Sequence, residues 1–398
     1  MRFLFTTFAA RPHLYPMVPL AWSALAAGHE VRIASTPSLL AAIDGTGLPS
    51  VSVGSDIDAE SWFAKGNFRP RQESTDTSEL DAWRRVTDNL ARKQYSVCEA
   101  MVDDLVAFGR AWHPDVIVHD PVTFAGPVAA EVLGVPSVSH LYGLARLLRL
   151  EIEDWVGDRV RPGYLELFER WNRTPRVDPT AWIDPCPPSL RWPGQREISP
   201  RHAMRYVPYN GPGRAPDWLL RPSGRPRICV TWGTSQHKKL GEGVMEMFGR
   251  LTREIAGQGA EVVLTVGGMV PEQVGHLGPM PDNVRLVDWV PLNLLLSRCQ
   301  AIVHTGGTGV LLTAAAAGLP QLGVTKIPEG EFNAVRLAAT GAGLQVRQDD
   351  LKDGTVGEAV GALLEETGHR EAAERLRTEM TAEPSPAELV PVLENLAK

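Results

Sequence analysis

Between Ala301 and Gly323 the chain reads AIVHTGGTGVLLTAAAAGLPQLG, a run that few folds accept. Ala301-Ile302-Val303 has the apolar character of a buried parallel strand. The turn His304-Thr305-Gly306-Gly307-Thr308-Gly309 follows, and Val310 to Ala317 is long enough for two helical turns. Gly318 suits a helix C-terminus, and Leu319-Pro320-Gln321-Leu322 opens another strand. Strand, glycine-rich turn and helix make backbone N–H groups and the positive end of a helix dipole converge on one point, which attracts phosphate. Glycines let an anion approach main chain that a Cβ would shield. An unliganded tight turn has the same local pattern, so the surrounding chain has to decide.

That context is an α/β alternation made twice. Phe3 to Thr6, Val31 to Ala34, Val51 to Val53, Val116 to Val118 and Val135 to Ser139 read as strands. Met17 to Ala27, Leu39 to Ile43, Leu80 to Trp112 (with room for one break) and Phe124 to Leu133 read as helices between them. Pro and Gly crowd Tyr209 to Pro226, a linker composition. A second alternation follows, with strands at Ile228–Thr231, Glu261–Thr265, Val284–Val287 and Ala301–Val303. Its helices are Gly243–Ala256, Glu331–Thr340 and the tail from Thr355 to Ala397. Such order predicts doubly wound parallel sheets that bind ligands at the carboxyl ends of their strands. A length of 398 residues is comfortable for two domains.

A net charge of −7 excludes nucleic acid recruited by a basic surface. No stretch approaches a membrane span, and Met1 to Thr6 lacks the apolar core of a signal peptide. Cys98, Cys186, Cys229 and Cys299 are scattered without CxxC spacing. They read as buried small apolar residues in a reducing, cytoplasmic setting. Two stretches lack periodicity. Gly54 to Glu79 is polar and reads as a loop. Leu141 to Ser199 gathers Tyr142, Trp155, Tyr164, Phe168, Trp171, Trp182 and Trp192, either the wall of a pocket for a large apolar molecule or an insertion packed on its own aromatics.

Gly306-Gly307-Thr308-Gly309 with Gly318-Leu319-Pro320-Gln321 resembles the donor-binding pattern of family 1 glycosyltransferases, roughly His-Gly-Gly-x-Gly-Thr, a helix, then Gly-Val-Pro-Gln. The likeness is nearest to the actinobacterial enzymes that attach deoxysugars to polyketide antibiotics, and it spans nearly the whole chain. It implies the GT-B architecture, an α/β fold of two Rossmann-like domains facing each other across a cleft. It also implies an acceptor domain over 1–208, a linker over 209–226 and a donor domain over 227–382. The C-terminal helix, within 383–398, is then expected to cross back to the first domain.

The same resemblance names a donor site. Gly233-Thr234-Ser235 stands at the first phosphate loop, although a Ser/Thr helix cap has the same look. Trp289-Val290-Pro291-Leu292 stands where the family places Trp-x-Pro-Gln around the nucleobase. Leu292 replaces the Gln, leaving backbone contacts from Val290 and Leu292, and Trp289 also suits a domain core. His304 is followed by Thr305 where the family has a second histidine on the pyrophosphate. Gly306, Gly307, Thr308, Gly309 and Val310 keep main-chain donors at the helix start. Glu329-Gly330 stands for the Asp-Gln that meets sugar hydroxyls, which fits a deoxysugar better than glucose.

On the acceptor side, Arg11-Pro12-His13-Leu14-Tyr15-Pro16 resembles the family's Gly-His-x-x-Pro, in which the histidine is the general base. Asp120, ending the strand from Val116, matches the acid that orients it. A turn histidine and a helix-capping aspartate are the ordinary alternatives. Pro12, Phe63, Tyr142 and Trp155 are the expected acceptor contacts. The function implied is inverting transfer of a deoxysugar from a dTDP-sugar to a hydrophobic aglycone, with no metal and no cofactor beyond that co-substrate. The partners expected are the two small molecules, with a second copy of the chain or a helper protein left open. A GT-B nucleotide-sugar epimerase, or a non-catalytic homologue that binds nucleotide-sugar, are the competing readings.

Overall fold

The computed structural model describes residues 1–57, 77–144, 149–153, 159–193, 200–233 and 242–398, with backbone alone over 77–86 and at 242. It divides into two compact units, Met1–Gly211 with Ala382–Lys398, and Pro212–Thr381. The expected linker stretch is therefore not all connector. From Pro212 onward it belongs to the second unit, whose core takes in Leu219.

The first unit holds a seven-stranded, all-parallel sheet. Its strands are β1 (Arg2–Thr6), β2 (Glu30–Ser35), β3 (Ser50–Ser52), β4 (Val116–His119), β5 (Ser137–His140), β6 (Ala181–Asp184) and β7 (Arg201–Ala203), in the order β3-β2-β1-β4-β5-β6-β7. Helices α1 (Arg11–Leu14), α2 (Val18–Ala26), α3 (Pro37–Asp44), α4 (Thr77–Trp112), α5 (Ala125–Leu133) and α6 (Pro162–Glu169) fill the crossovers. Alternate residues of β1 face opposite layers, Phe3 and Phe5 toward α2, Leu4 toward α4 and α5, as the period of two requires.

The long helix is a single run from Thr77, taking in the last three residues of the expected loop; residues 58–76 lie outside the description. The aromatic-rich stretch is mostly structure. Tyr164 and Phe168 pack with Phe124 in the layer under α4, Trp182 is a strand residue at 2% exposure, and Trp171 lies against the same layer. Trp155 lies outside the described residues.

The second unit carries six parallel strands, β8 (Arg227–Thr231), β9 (Glu261–Thr265), β10 (Val284–Val287), β11 (Ala301–His304), β12 (Gln321–Thr325) and β13 (Gly343–Arg347), in the order β10-β9-β8-β11-β12-β13. Its helices are α7 (Asp217–Leu220), α8 (Glu242–Ala256), α9 (Pro271–His276), α10 (Leu292–Leu296), α11 (Thr308–Ala316), α12 (Pro328–Ala339), α13 (Thr355–Glu365) and α14 (Thr367–Ala382). Gly318, at φ +69°, closes α11 in the left-handed conformation expected after a helix. A final helix, α15 (Pro386–Leu396), belongs to the first unit. A Ser385/Glu388 capping box starts it, and Leu389, Val390 and Leu393 enter the core beside α2.

Both units are thus Rossmann-like, and in each the strand order reverses direction next to the first strand, between β1 and β4 and between β8 and β11. All four cysteines are free and buried. Among the described residues no helix is long and apolar enough to cross a membrane, and no cluster of three His, Cys, Asp or Glu side chains is placed to hold a metal.

Candidate functional site

In the first unit, the segment after β1 and the segment after β4 meet at the reversal point. His13, on the short helix α1, places Nδ1 3.2 Å from Asp120 Oδ1. The imidazole is 14% exposed and the carboxylate fully buried. Asp120 is fixed by its own turn: Oδ1 also accepts the Val122 N–H at 3.1 Å, and Oδ2 accepts the Thr123 hydroxyl. Thr123 in turn accepts the Phe8 N–H at 2.9 Å, tying the β1 loop to the β4 loop. Burial pushes the Asp120 carboxyl up. The hydrogen bond and charge of His13, with the Thr123 and Val122 bonds, outweigh it and hold the acid below the usual carboxylate range.

With that carboxylate beside Nδ1, the neutral ring keeps its proton on Nδ1 and bears its lone pair on Nε2, the arrangement of an oriented base. The ring contacts Phe8 edge-on (centroids 4.5 Å) and Tyr142 at a tilt (4.1 Å). Pro12 is exposed beside it. Phe63 and Trp155 lie outside the described residues. His119, delivered with Asp120 by β4, is interior: Nδ1 donates to the Asp120 carbonyl at 2.9 Å, and burial lowers its pKa.

In the second unit the predicted residues gather on the carboxyl rim of neighbouring strands. Gly233 follows β8, Trp289 follows β10, Thr305 to Gly309 follow β11, and Glu329-Gly330 open α12 after β12. Thr234 and Ser235 lie outside the described residues. Trp289 is 43% exposed, with Nε1 donating to the Pro212 carbonyl at 3.1 Å, so it is a rim residue and not core. Val290 and Leu292 turn their side chains into the apolar layer around Leu295, leaving main chain on the rim.

The turn after β11 is built from below and from the side. Sequence reasoning grouped His304 with the donor residues, with a place in the strand as the alternative; it ends β11 at 1% exposure, with both ring nitrogens engaged. Nδ1 accepts the Gly306 N–H at 3.0 Å, so Nε2 carries the proton and donates to Gln321 Oε1 at 3.0 Å. Burial drives the His304 pKa down to about 4, which keeps that acceptor available. Its role is therefore to shape the turn from beneath.

Thr305 is 5% exposed, and Gly233 approaches its hydroxyl so closely that a Cβ there would lie 3.2 Å away. Gly306 has φ +84°, and a Cβ on it would sit 2.5 Å from Gly330 Cα. Reciprocally, a Cβ on Gly330 would sit 2.5 Å from the Thr305 carbonyl oxygen. The missing side chain at 330 is thus a packing requirement. Gly307 is exposed at the helix cap, and Thr308, Gly309 and Val310 form the first turn of α11. Glu329 accepts the Thr308 hydroxyl at 2.8 Å, and Asn333, which sequence reasoning passed over, donates to both Gly306 O and Thr308 Oγ1. Only the polar interruption of an otherwise apolar helix face at Asn333 signalled it.

Comparison with known proteins fits this arrangement. Residues 22–233 match the "Erythromycin biosynthesis protein CIII-like, N-terminal domain" and residues 250–396 the corresponding C-terminal domain. The chain belongs to the erythromycin biosynthesis protein CIII-like family. As a member of that family it is a glycosyltransferase of the GT-B fold. It is 37% identical to aclacinomycin-T 2-deoxy-L-fucose transferase of Streptomyces galilaeus, over 100% of this chain and 96% of that protein. It is 36% identical to 10-deoxymethynolide desosaminyltransferase of Streptomyces venezuelae, over 100% and 97%. Among solved structures, the glycosyltransferase VinC in complex with dTDP superposes with a TM-score of 0.83 at 35% identity, covering 100% of this chain and 99% of VinC. The first two relatives are named as transferases of 2-deoxy-L-fucose and of desosamine.

Proposed function

We propose that this chain moves a deoxysugar from a dTDP-sugar to a hydrophobic, polyketide-like aglycone with inversion at the anomeric carbon. The first unit provides the base. As the aglycone oxygen attacks C1, its proton passes to Nε2 of His13, and Asp120 holds the ring and balances the positive charge that forms. The C1–oxygen bond to the diphosphate breaks, and dTDP leaves with the bonding pair. The second unit supplies main-chain donors at the tip of α11, with Gly233 and the rim at Trp289 to Leu292 framing the nucleotide. No cofactor besides the sugar donor is needed.

The reading rests on the 3.2 Å His13–Asp120 pair at the β1/β4 reversal. Relatives named for 2-deoxy-L-fucose, mycaminose and desosamine transfer, and a solved relative holding dTDP, support the substrate class. The test is incubation with dTDP-deoxysugars and polyketide aglycones, with product configuration read by NMR. His13→Ala is expected to lower kcat by at least about 100-fold, while dTDP affinity by calorimetry stays within a factor of about two. Turnover retained in His13→Ala removes the base, and a product that keeps the donor's anomeric configuration removes the inversion.

A further inference from the structure

We propose that Asn333 is a positioning residue for nucleotide binding: it locks Gly306 and commits the Thr308 hydroxyl, so that main chain alone at the tip of α11 meets the diphosphate. The inference rests on the nucleotide reading above and adds to it which atoms do the reading.

Asn333 lies in the second turn of α12 and is 2% exposed, between the buried Gly330 and Leu337 on the same helix face. Asparagine is a poor interior residue for a helix, so its presence at a buried position calls for a compensating bond. It makes two. One amide N–H reaches the Gly306 carbonyl at 2.8 Å and the other reaches Thr308 Oγ1 at 2.9 Å, which uses both hydrogens of Nδ2.

The second bond fixes the direction of Thr308. Its oxygen accepts from Asn333, so its single proton goes to Glu329 Oε1 at 2.8 Å. A hydroxyl has one proton, and this one is spent inside the protein. Thr308 therefore has nothing to donate to a phosphate oxygen, although its position at the first residue of α11 would otherwise invite it. The first bond holds the Gly306 peptide at φ +84°, against Gly330, with His304 gripping the N–H of the same residue from below. Both polar groups of Gly306 are thus engaged by side chains, and the peptide planes that follow into α11 are set before any ligand arrives. Preorganised donors of this kind bind an anion without a reorganisation cost at the moment of binding.

The test uses the full chain and dTDP itself. Asn333→Asp keeps size and shape but cannot donate to either acceptor; Asn333→Leu removes the donors without adding a charge. Each is expected to weaken dTDP binding about tenfold by calorimetry and to raise the donor KM by a similar factor, with the acceptor KM unchanged. A role in folding alone would lower Tm and leave the Kd of the folded protein untouched. Wild-type dTDP affinity in either folded variant overturns the assignment, as does an equal rise in both KM values. If neither variant folds, Asn333→Ser, which retains one donor, is measured in the same way, and wild-type affinity there overturns it too. Failure of the wild-type chain to bind dTDP would sink the nucleotide reading itself, whereas normal wild-type binding with indifferent variants sinks only the role of Asn333.

Discussion

Replacing Asp120 with Asn separates two things the carboxylate does for His13, and the local hydrogen bonds make the separation clean. The carboxylate takes three donors: His13 Nδ1 at 3.2 Å, the Val122 N–H at 3.1 Å and the Thr123 hydroxyl. In Asp120→Asn the amide oxygen can stay at the Oδ1 position and keep the first two. The amide nitrogen then faces Thr123, whose oxygen has a second lone pair beyond the one given to Phe8. Ring orientation and tautomer survive, and only the charge is lost. Two unit charges 3.2 Å apart at an effective dielectric of about 20 attract by about 5 kcal/mol. The imidazolium is only partly formed in the transition state and the ring touches solvent, so about half of that is at stake. Some 2–3 kcal/mol corresponds to about 100-fold in kcat.

Asp120→Ala loses the orientation as well, leaves the buried Val122 N–H without its partner, and is expected to cost at least about 10³-fold. Single-turnover rates at saturating donor and aglycone measure both variants, with dTDP calorimetry as a control that should not move. Equal rates for Asp120→Asn and wild type would show that the charge is irrelevant; equal losses for Asn and Ala would show that the charge is everything and orientation adds nothing. Combining Asp120→Asn with His13→Ala should add nothing to His13→Ala alone, because both act through one imidazole.

Two further outcomes follow from the second unit. Gly330→Ala drives a Cβ to 2.5 Å from the Thr305 carbonyl, a backbone atom that cannot step aside, and is expected to cost about 1–3 kcal/mol in thermal unfolding and to weaken dTDP binding; wild-type Tm and affinity would refute the close approach. Burial pushes His304, and likewise His140 in the first unit, to about 4. Both are neutral when folded, so the unfolded chain takes up protons first as pH falls below about 6.5. The stability is whole above that value and lost on the way down to about 4, on the order of 3 kcal/mol per histidine. Calorimetric Tm values between pH 7.5 and 5 test this, and His304→Gln should flatten the slope; an unchanged slope in that variant would place the titration elsewhere.

Much of the scaffold was legible because buried parallel strands announce themselves as short apolar runs. Phe3 to Thr6, Val116 to Val118, Ile228 to Thr231 and Ala301 to Val303 all lie in central strands of the two sheets. The last strands of each sheet were harder, although the opposite edges, β3 and β10, were legible as Val51 to Val53 and Val284 to Val287. β7 is three residues, Arg201–Ala203, with no apolar run, β6 carries Trp182 and Asp184, and β13 opens on a glycine and includes Gln345 and Arg347. Strands this short or this polar offer little apolar run, so the signal that finds the others fades there. The pair His13 and Asp120 was findable through resemblance to the family's motif, and the fold brings the two together because His13 lies in the segment after β1 and Asp120 directly after β4, on either side of a reversal. Asn333 and the inward role of His304 were not. Both depend on which face of a turn the side chain takes, and that is decided by packing against Gly330 and Gln321, residues distant in sequence.

The residues proposed in each unit place different demands on sequence, and this accounts for where the chain departs from the glycosyltransferase pattern. Under the proposed function the first unit works through side-chain chemistry. No residue but a histidine at 13 offers a neutral lone pair backed by a carboxylate, so His13 and Asp120 are kept although Pro12 stands at the motif's glycine. In the second unit the groups offered to ligand are main chain: the tip of α11, and the backbone of Val290 and Leu292, whose side chains point into the core. A replacement at a position that contributes only backbone changes little, provided the backbone stays put. Leu292 in place of Gln and Thr305 in place of histidine are of this kind. What cannot vary is the set that holds the main chain in place: Gly306 at positive φ, Gly330 packed against it, and His304, Gln321 and Asn333 gripping it through hydrogen bonds. Substitutions in that set should therefore damage donor binding more than substitutions at Leu292 or Thr305, the reverse of the ranking that resemblance to a side-chain motif would give.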